Sequence, residues 1–165
     1  MAKVVLALGD DISTDIIYPG RYMATVLPGE TPQYAFADNA DFNARLRQGD
    51  IPAGSLVVAG RNFGCGSSRE QAASCLKGHG LVVVARHFGR IFLQNAINVG
   101  LRLVICPEIE AAEGDELEIS LDSIRNITQA RSFGVESMPP ARQAIIDAGG
   151  LIPYTRSLLQ RAPGS

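Results

Sequence analysis

The stretch Leu56–Lys77, LVVAGRNFGCGSSREQAASCLK, decides the fold. Leu56-Val57-Val58-Ala59 is a continuous apolar run of strand type, and Gln71–Lys77 has the alanine-rich pattern of a helix. The glycine-rich segment between them therefore joins a strand to a helix. Downstream the same alternation continues, with a strand predicted over 55–59, a helix over 68–77, a strand over 81–85, a helix over 88–97 and a strand over 102–106. That order favours parallel pairing with helices packed on a sheet. Glu116–Ser120 and Ser123–Thr128 read as strands around the turn Leu121-Asp122, so antiparallel strands close the domain, and Pro140–Ala148 reads as a final helix. Upstream, Val4–Leu8 reads as a strand followed by the polar loop GDDISTD. Residues 24–54 are punctuated by Pro28-Gly29, Pro32 and Pro52-Ala53-Gly54 and carry one short helical pattern, Asp41–Arg47; they read as a long excursion over the surface. The expectation is one α/β domain over residues 1–165 with a long surface loop at about 20–54.

Within Gly60–Glu70, Gly60, Gly64 and Gly66 permit close approach of backbone to a ligand, and the free N–H groups of a helix's first turn attract an anion. Ser67 and Ser68 add hydroxyls and Arg69 a rigid cationic fork. The plainer alternative is that one serine caps the helix and Arg69-Glu70 is a solvated pair. The density of glycine, serine and arginine exceeds what a cap needs. A Walker phosphate loop would end in Gly-Lys-Ser/Thr, which is absent, and the dinucleotide fingerprint does not fit. A carboxylate is the better ligand, and a serine in such a loop has the surroundings needed to abstract a proton. The residues alone do not say which serine does which.

The chain has 165 residues, 46% hydrophobic and 19% charged, with a net charge of −2. This is globular composition for one core, without the basic footprint of a nucleic-acid binder. No apolar run approaches the ~20 residues of a membrane span, and MAKVVLALGDD lacks the apolar core of a secretory signal. Cys65, Cys75 and Cys106 are odd in number and have no ligand spacing, so they read as reduced thiols of a cytoplasmic protein. His79 and His87, eight residues apart across a predicted strand, are not spaced to share a metal, and none is expected on this chain.

Three motifs in order, GDDISTDIIYPGRYM at 9–23, GRNFGCGSSRE at 60–70 and RHFGRIFLQNAINVGL at 86–101, resemble the small subunits of the isopropylmalate isomerases, which belong with the aconitases. The likeness covers roughly residues 3–160. It implies a swivelling β/β/α domain with mixed parallel and antiparallel strands, and a hydro-lyase that isomerises or dehydrates a 2-hydroxy dicarboxylic acid. It also implies a large-subunit partner, in a heterodimer or heterotetramer, that carries a four-iron four-sulfur cluster for which the scattered cysteines here are not arranged. Carried over by position, the resemblance makes Ser67 the base, with Gly66 in its loop, Ser68 and Arg69 binders of a substrate carboxylate, and Asp15 a catalytic aspartate that pairs with a histidine of the reaction centre. The third motif helps shape the site or the subunit boundary.

Arg21-Tyr22-Met23-Ala24 aligns with the segment that reads the variable group of the substrate. Homoaconitase-type relatives place an arginine where Ala24 stands. Burying a third carboxylate against Ala24 would be costly without another partner, whereas Met23 and Ala24 suit an alkyl group. Isopropylmalate is the expected substrate, with dimethylmalate, citramalate and homoaconitase types as alternatives, and a carboxylate-binding regulatory domain as the non-enzymatic one.

Overall fold

A computed structural model describes residues 1–161. The seven strands are β1 (Ala2–Ala7), β2 (Leu56–Ala59), β3 (Val82–Ala85), β4 (Leu103–Ile105), β5 (Glu116–Ile119), β6 (Ser123–Asn126) and β7 (Arg131–Gly134). They form one sheet in the order β4-β3-β2-β1-β5-β6-β7. β1 to β4 are parallel, and β5 joins β1 antiparallel and leads the antiparallel ribbon β5-β6-β7. The Glu136 N–H, just after β7, donates to the Ile105 carbonyl of β4 (2.8 Å). The two ends of the strand order therefore meet, and the sheet curls on itself.

Strand alternation divides the core in two. Val57 and Ala59 of β2, with Val83 and Ala85 of β3, face the helices α3 (Glu70–Gly78) and α4 (Arg90–Val99), together with α2 (Ala40–Arg47). Leu56 and Val58 face the inside of the curl with Val4, Val84, Leu117, Ile124 and Phe133. β2 is consequently buried on both faces, which is why it reads as an unbroken apolar run. The parallel pairings β2-β3 and β3-β4, and the helices between them, follow the alternation expected from the sequence.

Two expectations need correction, and one strand is new. Residues 24–54 are not simply a surface excursion: Thr31, Ala35, Phe36, Phe42, Leu46 and Ile51 are buried, because α2 turns one face inward and a 3-10 turn at Thr31–Tyr34 packs on α3. Met23–Glu30 remains mostly exposed, as do residues 38–41, 47–50 and 52–54. Pro140–Asp147 (α5) is not the last helix, since α6 (Leu151–Arg161) follows the Gly149-Gly150 turn. β7 was not foreseen. It comes directly after Ala130, a left-handed residue (φ 54°) that turns the chain back along β6.

Candidate active site

The polar loop after β1 and the glycine-rich loop after β2 continue the parallel pairing beyond the strands. The Asp11 N–H donates to Arg61 O (2.9 Å), Gly64 N–H to Ile12 O (2.7 Å) and Thr14 N–H to Cys65 O (2.8 Å). Asp10 Oδ1 accepts the Arg61 N–H (2.7 Å). The segment around Asp15 is thereby laid against Gly66-Ser67. The third motif backs the loop from below: Phe63 packs edge-on against Phe88 and Phe92 (centroids 6.0 and 5.3 Å). Gly64 (φ 84°) touches Phe92 so closely that an added Cβ would lie 2.2 Å from the ring. This is a position where only glycine fits.

Neither serine caps α3. Its N-cap is Arg69, whose side chain makes no capping bond, so the plain capping alternative does not describe this loop. Ser67 and Ser68 are exposed at the head of the helix. Ser67 is tied instead to Thr14 of α1 (Thr14–Ile17): Thr14 Oγ1 donates to the Ser67 carbonyl (2.9 Å) and lies 3.3 Å from Ser67 Oγ. The Ser67 carbonyl also accepts the Arg69 N–H (2.9 Å).

Arg69 is not a solvated surface cation. Its side chain is 15% exposed, and Nη1 donates to Asp15 Oδ1 (2.8 Å) and to the Tyr18 carbonyl (3.2 Å). Its Nε is buried without a partner among the described residues. Asp15 Oδ1 also accepts the Gly20 N–H (2.8 Å). The Arg69 bond, followed by that of Gly20, holds the Asp15 carboxyl below the ordinary carboxylate range. Its Oδ2 accepts nothing among the described residues, so one oxygen remains for another group.

The 3-10 turn Gly20–Tyr22 opens the Arg21–Ala24 segment. Tyr22 stacks on Tyr34 (4.0 Å, 9°), and the buried Tyr18 hydroxyl donates to the carbonyls of Tyr22 (2.9 Å) and Thr25 (3.2 Å). Arg21 is bound by Asp38 (2.5 Å) and covers the Tyr22 ring (4.7 Å). Gln71 Nε2, in the first turn of α3, donates to the Met23 carbonyl (3.2 Å), bringing Met23-Ala24 beside the head of the helix. Thr14, Tyr18 and Gly20 are the contributors that sequence reasoning missed. A threonine between Ser13 and Asp15, and a glycine after Pro19, have no periodic or compositional signal of their own.

The thiols occupy three environments. Cys75 lies in the helix-side core, Cys106 inside the curl, and Cys65 in the loop. Burial pushes the Cys75 and Cys106 thiols up. Cys75 and Cys106 lie on opposite faces of the sheet, so the three do not fit a shared iron–sulfur cluster. Among the described residues no group of three His, Cys, Asp or Glu is placed to hold a metal ion, and no helix is long and apolar enough to cross a membrane.

A curled mixed sheet with a serine-arginine loop at the head of a helix defines a class, and the chain belongs to the aconitase C-terminal domain family, which matches residues 12–107. Within that class it is similar to the 3-isopropylmalate dehydratase small subunit of Methanosarcina acetivorans, at 44% identity over 92% of this chain and 93% of that protein. It is also similar to the 2,3-dimethylmalate dehydratase small subunit of Eubacterium barkeri, at 42% identity over 91% and 93%. The crystal structure of a 3-isopropylmalate dehydratase from Methanocaldococcus jannaschii superposes with a TM-score of 0.84 at 38% identity, covering 96% of this chain and 95% of that one. The family resemblance and the fold class read from the sequence are both borne out.

Proposed function

We propose that this chain is the small subunit of a hydro-lyase of the 3-isopropylmalate dehydratase type, interconverting 2- and 3-isopropylmalate through dehydration and rehydration in leucine biosynthesis. The observation that carries this reading is the exposed hydroxyl of Ser67, not used in capping and standing at the head of α3 two residues before Arg69, whose guanidinium is held by Asp15. Ser67 takes the proton from the substrate carbon. The C–H bonding pair becomes the second bond of the alkene, and the hydroxyl on the neighbouring carbon leaves with its own pair, taking the proton that makes it water from the large-subunit histidine paired with Asp15. Serine is a poor base in water. Here its oxyanion would face the first-turn N–H groups of α3 and the positive charge of Arg69, donors worth about 3 kcal/mol each when preorganised.

Ser68 and Arg69 bind a carboxylate of the substrate, with Gly66 (φ 95°) giving the loop its turn. Asp15, through its free oxygen, pairs with a histidine on the large subunit. Tyr22, Met23 and Ala24 face the variable group, and Arg21 borders it through its hold on Tyr22. The iron–sulfur cluster, which when bound would polarise the departing hydroxyl, belongs on the large subunit, in a heterodimer or heterotetramer of the cytoplasm. Exposure of Ile16, Met23, Val26 and Leu27 beside the site supports a partner that covers it. The dimethylmalate dehydratase relative from Eubacterium barkeri keeps a second alkylmalate in view.

The test is anaerobic reconstitution with the large subunit and initial rates on isopropylmalate, dimethylmalate, citramalate and homocitrate, with Ser67→Ala as control. A preference for isopropylmalate that falls at least a thousandfold in the variant supports both substrate and base. Turnover of homocitrate overturns the argument from Ala24, and the absence of Ser67-dependent turnover favours a carboxylate-binding regulatory domain.

A further inference from the structure

We infer that Thr14 is the positioning residue for Ser67, orienting its hydroxyl at rest and supplying the hydrogen bond that stabilises it once deprotonated. The inference rests on the reading of Ser67 as the base.

Thr14 is 2% exposed and fixed at both backbone ends, its N–H given to Cys65 O (2.8 Å) and its carbonyl accepting the Tyr18 N–H (2.8 Å). Its hydroxyl has one proton and faces two oxygens of the same residue, the Ser67 carbonyl at 2.9 Å and Ser67 Oγ at 3.3 Å. A carbonyl can only accept. At rest the Thr14 proton therefore goes to that carbonyl, and within the hydroxyl contact Ser67 is the donor to Thr14 Oγ1. This points the serine proton inward and turns the oxygen's lone pairs outward, toward a ligand.

When Ser67 loses its proton to solvent, the demand reverses. The Thr14 O–H rotates about its Cβ–Oγ bond and donates to Ser67 Oγ⁻, with no movement of heavier atoms. The Ser67 carbonyl is not left bare, because it still accepts the Arg69 N–H (2.9 Å). That second donor makes the rotation inexpensive. The contact of 3.3 Å is long for two neutral hydroxyls and shortens when one is charged. Once Ser67 has taken the substrate proton, the Thr14 hydroxyl returns to the carbonyl. A valine of the same shape could do neither job, whereas a serine could do both.

The charged groups around this pair are Asp15 and Arg69, bound to each other, and Glu70 in the first turn of α3, and the Cys65 side chain lies in the same loop. Thr14→Val leaves all of them in place. A change in pH dependence then reports the hydroxyl.

The experiment compares Thr14→Val, Thr14→Ser and Ser67→Ala in the complex with the large subunit, by kcat, KM and the pH profile of kcat, with Tm recorded for each. For Thr14→Val the expected result is a fall in kcat of about ten- to a hundredfold with KM within about twofold, and a rising limb of kcat displaced upward by about one pH unit. Thr14→Ser restores kcat to within about threefold. Native kcat and an unmoved profile for Thr14→Val, with Ser67→Ala inactive, overturn the inference and leave the base assignment standing. Equal losses in Thr14→Val and Thr14→Ser that track a lowered Tm also overturn it, since they mark packing alone. An active Ser67→Ala overturns the base assignment itself, and the inference with it.

Discussion

Arg69 owes its direction to its neighbours. Nη1 is engaged by Asp15 and by the Tyr18 carbonyl, while Nη2 lies against Gly20, where an added Cβ would come within 3.1 Å of Nη2 and 3.2 Å of Asp15 Oδ1. Both distances are tighter than ordinary contact, so Gly20→Ala must displace one member of the pair. Because Asp15 is largely exposed, the pair contributes little to stability and its displacement is a matter of geometry. We expect Gly20→Ala to raise KM for isopropylmalate about tenfold in the reconstituted enzyme while Tm moves by no more than a few degrees. Arg69→Lys, which keeps the charge but loses the fork, should do at least as much. An unchanged KM in Gly20→Ala would detach this pair from substrate binding. The sequence made Ser67, Ser68 and Arg69 conspicuous because they are adjacent in the chain. Thr14 and Gly20 reach them from more than forty residues away, by zipping the loop after β1 along the loop after β2, and no local pattern encodes that.

The antiparallel ribbon β5-β6-β7 depends on one carboxylate. Asp115 Oδ2 accepts the Ala112 N–H (2.8 Å), Asn126 Nδ2 (2.9 Å) and Gln129 Nε2 (2.7 Å), and its carbonyl accepts the Val4 N–H of β1 (2.8 Å). Asn126 is wholly buried, so its amide depends on these partners. The Ala112 N–H above all, then Asn126 and Gln129, hold the Asp115 carboxyl below its ordinary value of 3.8. A depressed folded value means stabilisation that is complete above the ordinary value and is lost as the pH falls below it, through the folded value. Asp115→Asn, which keeps one acceptor oxygen for these donors but removes the charge that strengthens all three bonds, should cost about 1–3 kcal/mol in urea unfolding at pH 7. The gap from the parent should narrow below pH ~3.8, as the parent's carboxylate is itself protonated. A gap independent of pH would mean that packing, not charge, links the ribbon to β1. The ribbon also marks where sequence reading stopped. β5 and β6 show as short runs around Leu121-Asp122, but β7 buries a single side chain, Phe133, and its register is set by a left-handed Ala130 that sequence does not announce. β2, β3 and the helices after them were legible because burial on both faces writes itself as unbroken apolar runs.

Across the whole molecule, the candidate site is an open surface. Ser67 and Ser68 are exposed, Asp15 offers one free oxygen, Arg69 is half committed to Asp15, and Ile16, Met23, Val26 and Leu27 present apolar surface beside them. A site that binds a small acid tightly normally surrounds most of it and supplies several convergent polar groups. Here two exposed hydroxyls and one guanidinium already engaged by Asp15 are all that these residues offer a carboxylate, and a charge contact made at such an open surface is worth at most about 1 kcal/mol. Half of a divided active site should look like this, and a self-sufficient regulatory pocket should not. The isolated chain titrated with isopropylmalate by calorimetry should therefore show a Kd no tighter than about 1 mM, equivalent to about 4 kcal/mol. The reconstituted complex should saturate at far lower concentration. Micromolar binding by the isolated chain, abolished by Arg69→Ala, would place a complete site on this subunit. The exposed apolar rim would then need an explanation other than a covering partner.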